Sequence, residues 1–364
     1  MHRSLWQHFD WGLLIIALLL TIIGVAMIYS ATIGSQDLLD AWRKQVLYGA
    51  IGLVLMLLTA FINYRLLESL QWLLYAITIL ILLFTLLFGS SEISSVRRFI
   101  YIGGVSIQPA FPGLLLLIIS QASLLARNAP HSPRWQEMAL SLALIGVTGF
   151  LVFRQPNLST ATLYAAVWGA MLFGSGVNLT YLGGLGLGVL TTIPLILPHL
   201  PPYMQERIYN FQDPTRDLWA QYNLDQALIS IGSGGLWGKG YASGTQSQLH
   251  FLRVRHTDFI FSVICEELGF SGALLLLILF GLLLWRLLQI AAHAADLTGQ
   301  LIVVGVSTYI FYQLIVNLGM NLSLLPVAGL PLPFISSGGS ALVVAYIGLG
   351  LVESVAMHHR RLEL

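Results

Sequence analysis

Charged residues and cysteines are both scarce in this chain. Only 9% of the 364 residues are Asp, Glu, Lys or Arg, whereas 57% are hydrophobic. An ordinary soluble domain carries about 25% charged residues, so the composition excludes that class and indicates a membrane protein. The net charge of +1 provides no basic surface for nucleic acid. The single cysteine, Cys265, excludes an intrachain disulfide and a cysteine metal cluster.

Long apolar stretches recur along the whole sequence. A helix needs about 20 apolar residues to cross a bilayer, and about ten stretches approach that length. They are residues 11–30, 45–62, 70–88, 110–125, 138–153, 160–173, 181–197, 259–288, 300–322 and 340–356. We therefore predict a single all-α, polytopic membrane domain over residues 1–364 with about ten transmembrane helices. Only residues 174–178 separate the sixth and seventh stretches, so a fused re-entrant pair is an alternative there.

The first stretch is as long as a membrane span and lacks a small-residue cleavage site, so it predicts a helix rather than a cleavable signal. An even number of helices places both termini on one side. The basic residues of that side are Arg3, Arg65, Arg127, Arg134, Arg286, Arg360 and Arg361, against Arg43, Lys44, Arg97, Arg98 and Arg154 on the other. This bias favours cytoplasmic termini. Residues 198–257, the large loop, then lie outside the cytoplasm between helices 7 and 8, and we expect them to be compact and ordered.

Two glycine-rich segments interrupt the apolar pattern. Residues 231–240 do not form a P-loop, because Ser233 and Gly240 stand where that motif needs Gly and Ser or Thr. They form either a tight turn or a set of backbone amides that cradle an anionic head group beside Lys239. Residues 325–340, between the last two helices, also contain several prolines. Non-helical backbone at membrane depth needs protein or a water-filled cavity to satisfy it, so this segment predicts a cavity wall.

Asp258 lies where the large loop meets the eighth predicted helix, in the sequence His256-Thr257-Asp258. Asp at this position is typical of a helix N-cap, whose side chain accepts hydrogen bonds from free amides. Arg253, Arg255 and His256 stand close by in the sequence. The same carboxylate is therefore also a candidate base for a hydroxyl nucleophile at the membrane boundary.

Four polar side chains fall inside the predicted helices: Glu266, Glu267, Gln313 and Asn317. Intramembrane acids are costly and usually face a partner in the bundle interior. We expect the two glutamates either to pair between helices or to serve catalysis, and the two amides either to bridge helices or to touch substrate. His250, His256 and Asp258 match no strong metal-site spacing, so no protein-held metal is predicted.

Motifs resembling those of one family run nearly from end to end. They are Phe9-Asp10-Trp11, residues 26–32, Tyr222-Asn223 with Gln226, residues 231–235, Gly238-Lys239-Gly240, Gly244-Thr245-Gln246, and residues 256–261, 266–270, 317–320 and 329–336. On these motifs the chain is identified as a member of the SEDS family of cell-shape, division and sporulation proteins (RodA, FtsW and SpoVE), nearer to its RodA branch.

The resemblance implies a peptidoglycan glycosyltransferase of the bacterial cytoplasmic membrane that polymerises lipid II into glycan strands at the outer face during cell elongation. The implied partners are a class B penicillin-binding protein (a transpeptidase), other elongation-complex proteins, nascent glycan and membrane lipids, and not nucleic acid. Asp258 matches the family's essential loop aspartate. In that role it acts as general base on the acceptor 4-hydroxyl, which displaces undecaprenyl diphosphate from the donor with inversion.

Further residues are predicted to bind substrate. They are Arg207, Arg216, Lys239, Thr245, Gln246, His256, Thr257, Ser336, Gly338 and Gly339. Arg207, Arg216 and Lys239 are the candidates to offset the diphosphate charge. No cofactor is assigned, although a divalent cation such as Mg²⁺ or Mn²⁺ is a candidate for the same electrostatic task.

The sequence departs from the family pattern at several polar positions. Phe111 and Leu114 replace an acid and a lysine, Asn157 replaces an aspartate, Arg253-Val254 replaces Pro-Glu, and Ser337 replaces an aromatic residue. If only some members of an ionic network were lost, a buried charge would stay unpaired. We therefore predict that one internal network was replaced as a unit.

Two other functions are compatible with the sequence. A lipid II flippase needs a polar path across the membrane, for which Glu266 and Glu267 are the acidic candidates, but no matching intramembrane Lys or Arg is evident. An inactive scaffold for a class B penicillin-binding protein agrees with the lost acid and lysine at positions 111 and 114 but not with the intact motifs of the large loop.

Overall fold

A computed structural model of the chain describes residues 6–35, 38, 40–89, 98–102, 105–128, 135–213, 216–249 and 251–358. His250, named above for a metal set, lies outside these residues, as do Arg3, Arg97, Arg134, Arg360 and Arg361 of the orientation argument.

The described residues are almost entirely helical, which confirms the all-α prediction. The helices are α1 (Trp11–Thr32), α2 (Ala41–Phe61), α3 (Tyr64–Ser69), α4 (Gln71–Phe88), α5 (Ala110–Leu125), α6 (Trp135–Arg154), α7 (Leu158–Gly174), α8 (Leu179–Ile196), α9 (Pro202–Gln212), α10 (Leu218–Ser233), α11 (Thr245–Gln248), α12 (Ile260–Ala292), α13 (Leu297–Asn321) and α14 (Gly339–Met357). One short antiparallel hairpin, β1 (Ile100–Ile102) and β2 (Val105–Ile107), precedes α5.

Each predicted apolar stretch coincides with a helix. Seven of them (α1, α2, α4, α6, α12, α13 and α14) are long and apolar enough to cross a membrane, and α5 and α7 are shorter apolar helices. Large apolar side chains cover the outer faces, as on α4, where Leu80 is 64% and Leu87 65% exposed. Such a surface suits hydrocarbon rather than water, so the chain is a multi-pass membrane protein. The count of ten spans stays a prediction.

Helices α13 and α14 form the centre of the bundle. α13 packs against α5, α7, α12 and α14, and α14 packs along α2. Glycines allow the second pair to approach closely, since a Cβ on Gly350 would lie 2.5 Å from the carbonyl oxygen of Met56. The segment between α13 and α14 is non-helical and largely buried, as expected for a cavity wall.

The large loop is helical over much of its length, and these helices are not predicted by the sequence. It contains α9, α10 and α11, and Pro202 occupies the first turn of α9, where its missing N–H has no cost. The glycine-rich segment 234–240 follows α10 and lies against α12.

That segment docks where α12 is broken. Gly269 has φ 67° and ψ −164°, a conformation open almost only to glycine. The amides of Lys239 and Gly240 donate to the carbonyls of Glu266 and Glu267 at 3.0 Å, and the amide of Phe270 donates to the Gly235 carbonyl at 2.9 Å. The glycine run is therefore a turn whose amides satisfy α12, and two of the amides that the anion-cradle alternative needed are occupied.

Candidate active site

Asp258 lies at the wall of a cavity of about 350 Å³ between the large loop and the membrane helices. The cavity, called the polar cavity below, is lined by Tyr203, Glu206 and Arg207 of α9, by Leu224 of α10, and by Pro326 and Val327 before α14. Asp258 is half-buried, and no hydrogen bond joins its carboxylate to any residue that the structure describes. Its carboxylate is thus available to a ligand.

The capping interpretation of Asp258 does not hold in the structure. The N-cap of α12 is Phe259, whose side chain makes no capping hydrogen bond, and the Ser262 amide of the first turn donates to Asn321 Oδ1 at 3.3 Å. The Asp258 carboxylate is consequently not used by the orphan amides of α12.

Two arginines act on the Asp258 carboxylate. Burial raises the pKa of Asp258, while the positive charges of Arg98 and Arg207 lower it, with burial the larger effect. Arg207 lies over the ring of Tyr203, with 5.1 Å from its guanidinium carbon to the ring centroid. Burial lowers the pKa of Arg98, and its Nε is buried without a hydrogen-bond partner among the described residues. Two arginine charges therefore act on the Asp258 carboxylate, and the Arg98 Nε has an unused hydrogen-bond donor among the described residues.

A second cavity of about 600 Å³, the apolar groove, adjoins the first. α7 and α13 form its walls, and Tyr312 donates a hydrogen bond of 2.9 Å to Thr162 between them. Arg207, Pro326 and Val327 line both cavities. A molecule with a charged head and an apolar tail can therefore place its head beside Asp258 and its tail along α7 and α13.

Lys239, Thr245 and Gln246 lie away from both cavities, around the fully buried Glu266. The Lys239 ammonium is 2.9 Å from Glu266 Oε1, which also accepts hydrogen bonds from the Thr245 hydroxyl at 3.1 Å and the Gln246 amide at 2.9 Å. Neither cavity is lined by any of these residues. The contacts hold the large loop on α12, and the predicted role of the three residues in substrate binding stays a prediction.

Glu267 faces a different set of partners. Its carboxylate accepts hydrogen bonds from the Ser30 hydroxyl of α1 at 2.5 Å and from the Ala242 amide at 3.1 Å. The two glutamates thus tie α12 to the large loop and to α1. Both are fully buried, and each has partners that satisfy its oxygens.

Lys239→Ala is expected to lower the thermal stability of the protein, because it leaves the Glu266 carboxylate without its cation. Breaking a buried ion pair from one side costs about 3–5 kcal/mol, and the 27% exposure of the Lys239 side chain reduces that figure. Thermal midpoints in detergent, read by size-exclusion fluorescence, measure the effect. The double variant Lys239→Ala/Glu266→Gln removes the unpaired charge and should recover most of the loss. An equal loss of thermal stability in the single and the double variant would contradict the pairing of Lys239 with Glu266. If the double variant is stable but needs more lipid II for half-maximal rate, that result would support the predicted substrate contact of Lys239.

His256 and Thr257 lie against the segment that contains Ser336, to which their backbone carbonyls are hydrogen-bonded. The Ser336 hydroxyl donates to the Thr257 carbonyl at 2.7 Å, and the Ser337 amide donates to the His256 carbonyl at 2.9 Å. Burial and the neighbouring Arg255 lower the pKa of His256, which favours a neutral imidazole. Its Nδ1 is buried without a partner among the described residues.

The remaining predicted contacts, Arg216, Gly338 and Gly339, are not among the residues that line the polar cavity. Gly338 is the N-cap of α14, and a Cβ on Gly339 would lie 2.4 Å from the Tyr48 ring, so Gly339 permits close packing on α2. Arg216 pairs with Asp213 at 3.5 Å and lies over the Tyr209 ring, beside the outer rim of the polar cavity.

Apolar side chains occupy two interior positions at which the family resemblance implies charged residues. Phe111 and Leu114 are both buried, and the Phe111 ring packs on the ring of Tyr309 at 6.3 Å. Both polar atoms of the Gln313 amide and the Tyr309 hydroxyl are buried without hydrogen-bond partners among the described residues. Phe111 and Leu114 thus make the interior apolar at two positions where the resemblance implies an acid and a lysine, and the replacement of that network as a unit stays a prediction. Asn157 keeps a local role, since its Oδ1 accepts from the Thr160 amide at 3.3 Å as the N-cap of α7.

These features define a multi-pass α-helical membrane protein with a carboxylate and two arginines near an apolar groove. The chain belongs to the FtsW, RodA and SpoVE family, whose model, described as a cell cycle protein, matches residues 10–361. The predicted family is therefore confirmed.

Curated relatives match along almost the whole chain. A peptidoglycan glycosyltransferase MrdB of Escherichia coli is 37% identical over 366 residues, which are 99% of this chain and 97% of the relative. The stage V sporulation protein E of Bacillus subtilis is 33% identical over 96% of this chain and 98% of its own length. A probable peptidoglycan glycosyltransferase FtsW of Thiomicrospira cyclica is 34% identical over 94% of this chain and 90% of the relative.

Solved structures share the fold. A chain of a peptidoglycan synthase complex, solved for its coordination of polymerization and crosslinking, has a TM-score of 0.83 and 31% identity over 97% of this chain and 99% of its own. The rod shape determining protein RodA of Thermus thermophilus has a TM-score of 0.72 and 30% identity over 97% of this chain and 98% of its own.

Proposed function

We propose that this chain is a peptidoglycan glycosyltransferase that polymerises lipid II, as the names of its relatives suggest. The observation that carries the proposal is the position of Asp258. Its carboxylate has no hydrogen-bond partner among the described residues, lies within the influence of two arginines, and lines a polar cavity that shares Arg207 with an apolar groove. Lipid II combines a sugar, a diphosphate and a long apolar chain, which match these three features.

In the proposed reaction, Asp258 accepts the proton of the acceptor 4-hydroxyl as that oxygen attacks the anomeric carbon of the donor. The bond between the anomeric carbon and the diphosphate oxygen breaks, and undecaprenyl diphosphate leaves with the electron pair. A single displacement inverts the anomeric centre. Burial raises the pKa of Asp258, and a stronger base is a better proton acceptor as long as it stays ionised.

Arg207 and Arg98 offset the negative charge of the leaving diphosphate. Arg207 lines both cavities, so it stands where a head group meets its lipid chain. Arg98 brings a buried Nε with an unused donor to the same charge cluster. Donors fixed in a partly dry site stabilise developing charge more strongly than donors in water.

No step is assigned to a divalent cation. Glu206, Asp217 and Asp258 line the polar cavity, yet the described residues contain no group of three or more His, Cys, Asp or Glu placed to hold a metal ion. The arginines alone provide the positive charge in this scheme.

The proposed setting is the bacterial cytoplasmic membrane, with cytoplasmic termini and with the large loop and Asp258 on the outer face. The proposed partner is a class B penicillin-binding protein. One structural neighbour belongs to a complex that coordinates polymerization and crosslinking, and a polymerase of glycan strands needs a transpeptidase to join its products. Transport of lipid II finds less support, because Glu266 and Glu267 are bonded to the large loop and α1, and buried Phe111 and Leu114 stand where the family has charges.

Arg98→Ala is expected to shift the acid limb of the polymerisation rate to higher pH. The Arg98 charge lowers the pKa of Asp258, so its removal raises that pKa, and the ionised base is lost at a higher pH. The same variant should need more lipid II for half-maximal rate. Glycan synthesis measured across a pH series checks both effects.

Arg43→Ala is the matched control, since Arg43 is exposed and its contacts with described residues are an ion pair with the exposed Asp40 and the face of the Trp42 ring. It should leave the pH profile and the lipid II requirement unchanged. A rate for Arg98→Ala that falls by the same factor at every pH would contradict an electrostatic link between Arg98 and Asp258.

A further inference from the structure

The backbone that carries Asp258 is fixed at three consecutive carbonyl groups. The His256 carbonyl accepts from the Ser337 amide at 2.9 Å, and the Thr257 carbonyl accepts from the Ser336 hydroxyl at 2.7 Å. The Asp258 carbonyl accepts from the Asn321 side-chain amide at 2.9 Å and, at the longer distance of 3.3 Å, from the Asn317 side-chain amide. All four donors belong to the last turns of α13 or to the segment between α13 and α14, so one part of the chain holds residues 256–258.

Among these donor residues, Asn321 makes hydrogen bonds with both atoms of its side-chain amide. It is fully buried, and its Nδ2 donates to the Asp258 carbonyl at 2.9 Å and to the Asn317 carbonyl at 2.8 Å. Its Oδ1 accepts from the Ser262 hydroxyl at 2.7 Å. One amide group thus joins α13, the Asp258 backbone and the first turn of α12. If this amide were flipped, its Oδ1 would face the Asp258 and Asn317 carbonyl oxygens, and two acceptors cannot form a hydrogen bond.

Ser336 is anchored in a similar way. Its hydroxyl donates to Thr257 and accepts from the Leu332 amide at 2.9 Å. Its own carbonyl accepts from the Gln45 side chain of α2 at 3.1 Å. The donor segment is therefore itself fixed to a transmembrane helix.

Strained backbone occurs on both sides of this contact. Val254 has φ 52° and the buried Phe334 has φ 64°, in the left-handed region that non-glycine residues rarely adopt. Such conformations persist only where the surrounding contacts impose them, and they concentrate at functional sites. The fixed backbone contrasts with the Asp258 carboxylate, which no described residue binds.

We propose that Asn321, supported by Ser336, is a positioning residue for the catalytic base. It holds the Asp258 main chain so that the carboxylate points into the polar cavity at the distance that proton transfer requires. This inference rests on the proposed function of Asp258. A misplacement of about 1 Å at a reacting group can cost about 10²-fold in rate, so a fixed main chain behind a free carboxylate has a direct catalytic value.

Asn321→Ala should lower the kcat of lipid II polymerisation by about 10²-fold while the lipid II concentration for half-maximal rate stays unchanged. A merely structural role predicts a different pattern, with equal kcat per folded molecule and a lower thermal midpoint. Ser336→Ala removes the neighbouring anchor and should give a smaller fall in kcat with the same unchanged lipid II requirement. This second variant decides the matter if Asn321→Ala does not fold.

Ser307→Ala is the control on the same helix, because the buried Ser307 hydroxyl bonds only to the Val303 carbonyl within α13. It should polymerise like the wild type. Wild-type kcat in folded Asn321→Ala and Ser336→Ala would overturn the positioning role while leaving the proposed function intact. Failure of the wild type and Ser307→Ala to make any glycan would instead overturn the proposed function.

Discussion

Asp258→Asn is expected to abolish polymerisation while the protein stays folded. The amide keeps the size of the carboxylate but accepts no proton, and general base catalysis contributes about 10²–10⁴ to a rate. The carboxylate has no hydrogen-bond partner among the described residues, so its replacement breaks no contact that holds α12. The measurement is the rate of glycan synthesis per folded molecule, together with lipid II binding by the same preparation.

Lipid II binding should survive this change, because the arginines and the apolar groove are untouched. Asp40→Asn is the control, since Asp40 is an exposed aspartate whose ion pair among the described residues is with Arg43, and such exposed pairs contribute little. Full activity in Asp258→Asn would remove Asp258 from the chemistry. Loss of folded protein would show instead that the carboxylate serves the structure.

Gly269→Ala is expected to have the largest effect on stability. A Cβ at this position would lie 2.3 Å from the Gly238 amide nitrogen, and the φ of 67° with ψ of −164° is closed to alanine. Backbone strain of this kind costs about 1–3 kcal/mol before any clash is counted. The Leu236 carbonyl carbon and oxygen would lie at 2.7 Å. Because all three clashing atoms belong to the main chain, the glycine-rich segment must leave α12, and its hydrogen bonds to Glu266 and Glu267 are lost with it.

The thermal midpoint of Gly269→Ala in detergent should fall by several degrees, and polymerisation should fall with it because the large loop forms one wall of the polar cavity. Gly281→Ala on the same helix is the control, since a Cβ there would meet nothing within 4 Å. An alanine in a helix interior even stabilises by about 1 kcal/mol relative to glycine. Equal midpoints for the two variants would contradict the docking of the glycine-rich segment on α12.

The apolar stretches predicted where the membrane helices lie, because the length of an apolar run is set by the bilayer itself. The same criterion does not detect the helices of the large loop, because their sequences are not long apolar runs. In α9 the polar residues Gln205, Glu206 and Arg207 separate the apolar ones. Such a segment does not have the hydropathy of a membrane-spanning helix. Only its contacts with the helices below make it an ordered cavity wall.

The candidate site was predicted in part. Asp258 was identifiable from its motif and its place at the end of the large loop, and Arg207 from its charge in that loop. Arg98 was used only for orientation, because nothing local indicates that a residue 160 positions before Asp258 shares its electrostatic environment. Its place beside a second arginine, shortly before Gln108-Pro109, was the available signal.

Lys239 makes a contact that the sequence did not predict. A lysine in a glycine-rich loop suggests an anion-binding residue, but the break at Gly269 lets the loop approach α12 so closely that Lys239 reaches Glu266. Spacing along the chain could not indicate this contact, since α12 reads as one continuous helix until a glycine with positive φ is seen.

The most direct test of the account is strand synthesis from lipid II by the purified protein, assayed with and without a class B penicillin-binding protein and resolved as glycan ladders on a gel. The account predicts ladders from the wild type and none from Asp258→Asn in the same membranes. Absence of ladders from the wild type with the partner present, while lipid II still crosses the bilayer, would contradict it and identify a transporter instead.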